Sequence, residues 1–303
     1  MKPHFLQSEI WKQFQKNIGK EIVENSGKGW SYFALVSKDR FGKYLYAPYG
    51  PHAENKQALI EAVEDLKKVA SKIGAYMVCI EPTPPFKKDE MAKLFKNRGY
   101  HRQAHRTIII DLSTTEDEIV AQMHKTRRKQ HRNYPSKGIT IEKSNTPETL
   151  EIFYDLLKKS SGEKSFYIRE KDFFSQILSH LVPMGGANFF IAKLDGKIEV
   201  AALVYDDEDT RYYAHVGRDL TDNSLQASAP LISYMILDAK RSGKKYFDLY
   251  GISESDDVTD EKSGFTVFKK TFGGEIKNYA GAWEIPVKPL VYFAKSQIKK
   301  LKL

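Results

Sequence analysis

A mixed α/β (α+β) fold in two related units packed around a cleft is what this sequence predicts. Three observations point to it. The chain has 303 residues, which suits two domains better than one. Strand-length apolar runs alternate with amphipathic helical stretches, and the alternation restarts near Thr146. No low-complexity or flexible linker separates the halves, so they are expected to pack with a cleft between them, a favoured place for ligands.

In the first half, Tyr32–Val36 and Lys43–Ala47 read as strands, with Phe41-Gly42 near the turn. A helix over Asn55–Ile73 follows. Its Leu59, Val63, Leu66, Val69, Ala70 and Ile73 fall on one face. Ala75–Ile80 is an apolar run of strand length that Glu81-Pro82-Thr83-Pro84-Pro85 breaks. A short helix holds Met91, Leu94 and Phe95 and stops at Asn97-Arg98-Gly99. Thr107–Leu112 is a β-branched strand. Ser113 or Thr114 can cap the next helix, whose first turn carries Glu116, Asp117 and Glu118. That helix is expected to run to Tyr134-Pro135, before a turn and strand over Lys137–Ile141.

In the second half, Thr146-Pro147-Glu148 opens a helix with Pro at its first position and Leu150, Phe153, Leu156 and Leu157 inward. A further helix holds Phe173, Phe174, Ile177, Leu178 and Leu181. Asn188–Leu194 and Ile198–Tyr205 form a hairpin about Asp195-Gly196. Arg211–Val216 is a strand, Gln226–Ala239 a helix and Tyr246–Tyr250 a strand. Gly264–Phe272 is helical and Ile276–Ile285 extended.

Composition narrows the function classes. Hydrophobic residues make up 41% and charged residues 29%, enough apolar material for two cores and too much for a disordered chain. The net charge of +9 biases the protein towards anionic partners such as nucleic acid, phosphate-bearing metabolites or an anionic membrane face. One cysteine, Cys79, excludes an internal disulfide and a Cys-rich metal site. The eight histidines lack metal-protease spacing, and there is neither a P-loop nor a Gly-x-Ser-x-Gly elbow. The Met1-Lys2-Pro3-His4-Phe5 start shows no signal-peptide pattern, and no run reaches the ~18 apolar residues that span a bilayer. The expectation is a cytoplasmic enzyme able to contact the inner face of the membrane.

Three stretches could carry chemistry. His124–Arg132 packs five Lys or Arg into eight positions from Lys125, a density suited to phosphates. The alternative is a solvated helix end, where one or two cations would already satisfy the dipole. Phe265–Gly274 interleaves aromatics with Lys269 and Lys270 and ends in a flexible Gly pair. It can stack bases and meet phosphate. Periodicity alone favours Phe265, Phe268 and Phe272 as a core stripe with both lysines in water. Phe166–Phe173 places Arg169 near a loop–helix junction, where it could hold a diphosphate. No covalent nucleophile stands out, so any group transfer would be direct, driven by orientation and electrostatics.

At these residues the chain resembles the Fem family of non-ribosomal peptidyltransferases, along nearly its whole length. Gln7-Ser8-Glu9-Ile10-Trp11 is similar to the family's opening segment. Tyr46-Ala47-Pro48-Tyr49-Gly50-Pro51 resembles a Tyr-x-Pro-Arg-Gly-Pro motif, with Tyr49 in place of Arg. Thr107–Leu112 followed by the basic helix and Gly138-Ile139 resembles the end of the first domain. Arg169-x-x-x-Phe173 resembles an Arg-x-x-x-Tyr/Phe element, and Tyr212–Gly217 an aromatic strand. Phe268-Lys269-x-x-Phe272-Gly273 is the most specific match.

The resemblance implies two tandem GNAT-like acyltransferase domains without the helical-hairpin insertion of some members. They span residues 1–144, joined by 282–303, and residues 145–281. It implies amino acid transfer from aminoacyl-tRNA to the stem peptide of a UDP-linked or lipid-linked muramyl pentapeptide. Aminoacyl-tRNA is a co-substrate, no cofactor or metal is implied, and a monomer is expected. By the same resemblance Arg169, Phe173 and Tyr213 hold the acceptor, and Tyr49 falls in a first-domain loop that meets substrate. Phe268 and Lys269 receive the tRNA end, Arg127, Arg128 and Arg132 meet its phosphates, and Lys269 offsets charge in the transition state. Asp111, near a strand end, is a conceivable general base. Two other classes remain: an acyl-CoA N-acyltransferase, disfavoured by the lack of an Arg/Gln-x-x-Gly-x-Gly loop, and a non-catalytic RNA-binding module. After Pro289 an amphipathic helix carries Leu290, Phe293, Ala294, Ile298 and Leu301 on one face. That face either packs on the first domain or touches anionic lipid transiently.

Overall fold

The computed structural model describes residues 2–99, 103–162, 168–253 and 263–300. Phe166, Tyr167 and Leu301, singled out above, lie outside them. The fold is mixed α/β with two seven-stranded sheets. The chain divides into two compact units, Met1–His105 with Asn278–Leu303, and Arg106–Lys277. The sequence places this boundary near Lys143–Thr146; the structure moves it to Arg106. The strand that starts at Arg106 pairs with Tyr246–Asp248, which places it in the second sheet.

The first unit opens with α1 (Glu9–Asn17), which the sequence reading did not identify as a helix. Ser8 caps it by accepting from the Trp11 amide. Strands β1 (Ile22–Gly27), β2 (Trp30–Asp39), β3 (Gly42–Ala47) and β4 (His52–Ala53) lead to α2 (Lys56–Lys72). Asn55 caps α2, so the expected Asn55–Ile73 helix is closely matched. Strand β5 (Met77–Ile80), α3 (Lys88–Leu94) and β6 (Asn97–Arg98) follow. The sheet runs β1-β2-β3-β5, then a strand from near the C-terminal end of the chain, then β6, with β4 against β2. β3 and β5 are parallel, as a helical crossover through α2 requires. Leu59, Ala62, Val63, Leu66 and Ala70 of α2 bury against Val78, Ile80 and Trp283.

The second unit begins with β7 (Arg106–Asp111). The expected single helix to Tyr134 is two, α4 (Glu116–Gln122) and α5 (Lys125–Asn133). Met123 and His124 are both extended, and buried Met123 anchors the break while the His124 ring caps α5. Thr115 and Glu118 form the capping box of α4, in place of Ser113 or Thr114. Next come β8 (Ile139–Lys143), α6 (Pro147–Gly162), α7 (Lys171–Gln176) with a π-helical turn over Ile177–Leu181, and β9 (Ala187–Leu194). Then follow β10 (Lys197–Asp206), β11 (Thr210–Arg218), α8 (Asp222–Arg241), β12 (Tyr246–Asp248), α9 (Ser263–Lys270) and β13 (Glu275–Asn278). Asp195 and Gly196 both take positive φ, as the tight β9–β10 hairpin demands. The sheet order is β13-β7-β12-β11-β10-β9-β8. β11 and β12 are parallel about the α8 crossover, repeating the β3-α2-β5 arrangement of the first unit.

The extended Ile276–Ile285 run is divided between sheets: β13 pairs with β7, and β14 (Trp283–Pro286) pairs with β5 and β6. α10 (Pro289–Lys300) follows. Val291 and Tyr292 pack against the cluster around Tyr76 and Met77, and Lys295 pairs with Glu284 at 2.8 Å. Leu290 and Phe293 are 86% and 61% exposed, so this face points outward instead of packing on the first unit, the first of the two readings. Among the described residues no helix is long and apolar enough to cross a membrane.

Candidate functional site

Lys269 is the best-defined polar centre of the second unit. It lies on α9 one residue after Phe268, and its side chain is buried while that of Lys270 is exposed. The reading in which both lysines face water fails for Lys269. Its ammonium donates to the carbonyls of Leu249, Tyr250 and Gly251 at 2.5, 2.9 and 2.9 Å. A lysine has three N–H donors, and these three carbonyls match them. β12 ends at Asp248, short of the strand expected through Tyr250. Tyr250 takes a φ of 57°, turning successive carbonyls towards one point. The segment is held from β7 as well: Leu249 and Ile252 donate their amides to the carbonyls of Ile108 and Arg106. Ser253 donates to Thr266 Oγ1 of α9 at 2.8 Å.

Burial lowers the Lys269 pKa to about 7, although neighbouring Asp248 opposes the shift. Asp248 is buried too, which raises its carboxyl to about 6 against hydrogen bonds from Thr107 Oγ1 and the Tyr250 amide. The Lys269 ammonium lies 4.0 Å from the centre of the Phe265 ring and 5.6 Å from that of Tyr213. Phe265 is 38% exposed, so one wall of this centre meets solvent. Phe268 and Phe272 pack on the core, leaving Phe265 out of the expected stripe. The glycines after it are not slack: a Cβ on Gly274 would fall 2.7 Å from the Ile109 carbonyl oxygen.

The structure brings the basic helix to this motif. Arg127 lies over Phe268 at 4.8 Å and donates to Thr271 Oγ1 at 2.8 Å and Gln130 Oε1 at 2.6 Å. Arg128 donates to the carbonyls of Ala121 and Met123, closing the C-terminus of α4. Arg127 and Arg128 thus make internal contacts, and Arg132 is exposed. Asp111 is exposed at the far end of β7 from Thr107 and accepts from the Ser113 amide at 2.8 Å. Four residues of strand separate it from Thr107, about 13 Å, so it is not brought to Lys269.

Tyr213 and Arg169 are parted by the sheet. β10 and β11 slip register between Leu203 and Val204, so that Leu203 faces His215 and Val204 faces Tyr213. This bulge turns Tyr213 into the core under α8, with Val204 and Ala202. His215 goes to the other face, edge-on to Phe174 at 5.3 Å and within 3.4 Å of the Tyr205 hydroxyl. There Arg169 lies 4.4 Å over Phe173. Burial, then the Arg169 charge, lowers the His215 pKa to about 4. Tyr49 belongs to the first unit, where its hydroxyl donates to the Ala104 carbonyl and its ring lies 3.8 Å from that of His4. Beside it Tyr46 donates to buried Glu81 at 2.8 Å. Asp248, His215 and Glu81 escaped the sequence reading, and Glu81 had a signal: an acid placed directly after the apolar strand β5. Among the described residues no cluster of His, Cys, Asp and Glu could hold a metal ion.

The FemAB family model matches residues 95–203 and 183–300. The chain belongs to the FemAB family. It is also 28% identical over 162 residues to the lipid II:glycine glycyltransferase of Staphylococcus aureus, a stretch that covers 49% of this chain and 38% of that protein. The chain therefore spans well under half the length of that relative in alignment. Among solved structures it is similar to FemX, with a TM-score of 0.82 at 19% identity over 96% of this chain and 94% of that one. A tandem GNAT protein from the clavulanic acid biosynthesis pathway gives a TM-score of 0.57 at 8% identity over 92% and 88%. These likenesses establish a tandem GNAT-like fold for this FemAB member.

Proposed function

We propose that this chain transfers an amino acid from aminoacyl-tRNA to the stem peptide of a nucleotide- or lipid-linked muramyl pentapeptide, in peptidoglycan side-chain or cross-bridge formation. Membership of the FemAB family and the similarity to a lipid II:glycine glycyltransferase support the class of reaction. The observation that supports it most is the Lys269 centre, a buried cation with one aromatic wall open to solvent. The donor ester is already activated. The stem-peptide amine attacks its carbonyl, a C–N bond forms, and the C–O bond to the ribose breaks. The proton lost by the amine ends on the departing ribose hydroxyl.

Lys269 has a particular part in this scheme. In its protonated form its three protons are engaged by Leu249, Tyr250 and Gly251, so the ammonium acts as a positive charge held in place and as the organiser of that loop. A preorganised charge needs no rearrangement as the tetrahedral oxyanion forms, which is where such groups are most effective. Arg169 over Phe173 is the candidate for the acceptor's diphosphate, since a guanidinium fork suits phosphate oxygens.

The test offers the purified protein radiolabelled aminoacyl-tRNA with UDP-linked or lipid-linked muramyl pentapeptide, and separately acetyl-CoA with the same acceptors. Label moving from tRNA to the muramyl peptide, with no acetyl transfer, is the expected result. Acetyl transfer without aminoacyl transfer would replace this reading with a CoA-dependent one.

A further inference from the structure

Between α5 and α8 of the second unit lies an open groove of about 330 Å³, lined by His131, Arg132, Tyr134, Tyr234, Leu237 and Arg241. Its volume is within the ~300–1,000 Å³ of small-ligand clefts. Leu237 is buried, both tyrosines are half-buried, and both arginines are exposed. Arg241 is fixed by Glu116, which accepts from its Nε at 2.8 Å and its Nη2 at 2.6 Å; that pair does not use Nη1. His131 is held 3.2 Å from Ser233 Oγ. Burial, with Arg241 and Arg132 nearby, lowers its pKa, leaving an uncharged ring beside two cations at neutral pH. A second small hollow continues past Tyr134 to Lys137. Lys125 and Lys129 are exposed on the same helix.

Aromatic faces set among cations along a groove are what a nucleotide chain needs, rings for its bases and cations for its phosphates. A flat bilayer would leave a concave tyrosine-walled groove unfilled. We propose that this groove binds nucleotides of the tRNA donor, with Arg132 and Arg241 on phosphate and Tyr134 and Tyr234 against bases. The inference rests on the aminoacyl-tRNA reading above. It also moves the RNA contact away from Arg127 and Arg128, whose guanidinium groups serve Phe268, Thr271 and the end of α4.

The experiment measures binding of uncharged tRNA, and of UDP, to the full chain across a salt series. Wild type is compared with Arg132→Gln/Arg241→Gln, Arg132→Gln alone and Tyr134→Ala, with thermal unfolding as the control for fold. Arg132→Gln changes one exposed side chain and keeps the test valid should another variant unfold. The double variant is expected to bind tRNA at least about tenfold more weakly, with a log–log salt slope shallower by roughly 1.4–1.8 for two lost phosphate contacts. Tyr134→Ala is expected to weaken tRNA about tenfold or more with the slope unchanged, because stacking releases no counterions. Folded variants that bind tRNA as wild type does would overturn the groove assignment and leave the donor reading standing. Loss of UDP binding with tRNA binding intact would assign the groove to the acceptor's nucleotide and overturn it. A wild-type protein that binds no tRNA would remove the donor reading and this inference together.

Discussion

Lys269 and Asp248 are a buried cation and a buried acid whose charges oppose the cost of burying each. Replacing Lys269 with Met leaves the carbonyls of Leu249, Tyr250 and Gly251 without their donor. Unpaired buried acceptors cost about 1–3 kcal/mol each, so Lys269→Met should lose at least ~2 kcal/mol of stability in denaturant titration. If Lys269 acts as proposed, transfer should fall by about a hundredfold or more in single turnover. A variant with unchanged midpoint and rate would exclude both roles. The pair also sets a pH dependence. The Lys269 pKa falls from 10.5 to about 7 on folding, so its contribution to stability is complete above 10.5 and is lost as pH falls through 7. The Asp248 pKa rises from 3.8 to about 6, so its contribution is complete below 3.8 and is lost as pH rises through 6. Together they place a stability minimum between about pH 6 and 7. In chemical unfolding followed over pH, the rise above pH 7 should be absent from Lys269→Met; a rise of equal size in that variant would assign it to other groups.

At the scale of elements, α10 shows how a helix can be predicted while the face that packs is left open. Pro289 starts it where expected. Its inner face is made by Val291, Tyr292 and Lys295, whose aliphatic stem and ammonium lie against Tyr76, Met77 and Glu284. The Leu290/Phe293 stripe has the stronger apolar spacing and faces away. Leu290→Glu/Phe293→Glu should therefore change stability by no more than about 0.5 kcal/mol, as surface substitutions do. A loss of several kcal/mol in thermal unfolding would mean that these side chains are buried after all. The same lesson holds on β11, where a single extra residue at the bulge sends Tyr213 and His215 to opposite faces.

For the whole molecule, the route of the chain matters as much as its elements. The first sheet is completed by β14, which lies between β5 and β6 and puts Trp283 in the core. The second unit has a continuous sequence and its own core from β7 to Phe272. A fragment of residues 106–277 should therefore unfold cooperatively on its own. Residues 1–105 alone, without β14, should not. Circular dichroism and urea melts of the two fragments would show this, and cooperative unfolding of 1–105 would contradict it.

From its sequence the chain is legible as two α/β units. Period-2 and period-3.6 apolar patterns are local, and α2, the β9–β10 hairpin and the Phe268-Lys269 motif all lie where those patterns put them. The FemAB likeness was legible for the same reason, being carried by short contiguous motifs. Register and long-range packing are not local. Whether Lys269 faces water depends on a loop eighteen to twenty residues earlier in the chain, which supplies three carbonyls. The fate of Arg127 depends on Thr271 and Phe268, far along the chain, which fold back upon it. Asp248, in a three-residue strand, becomes a perturbed acid through its burial beside Thr107. A side chain's charge, exposure and partners are set by what tertiary packing brings against it, and no window of neighbouring residues contains that information.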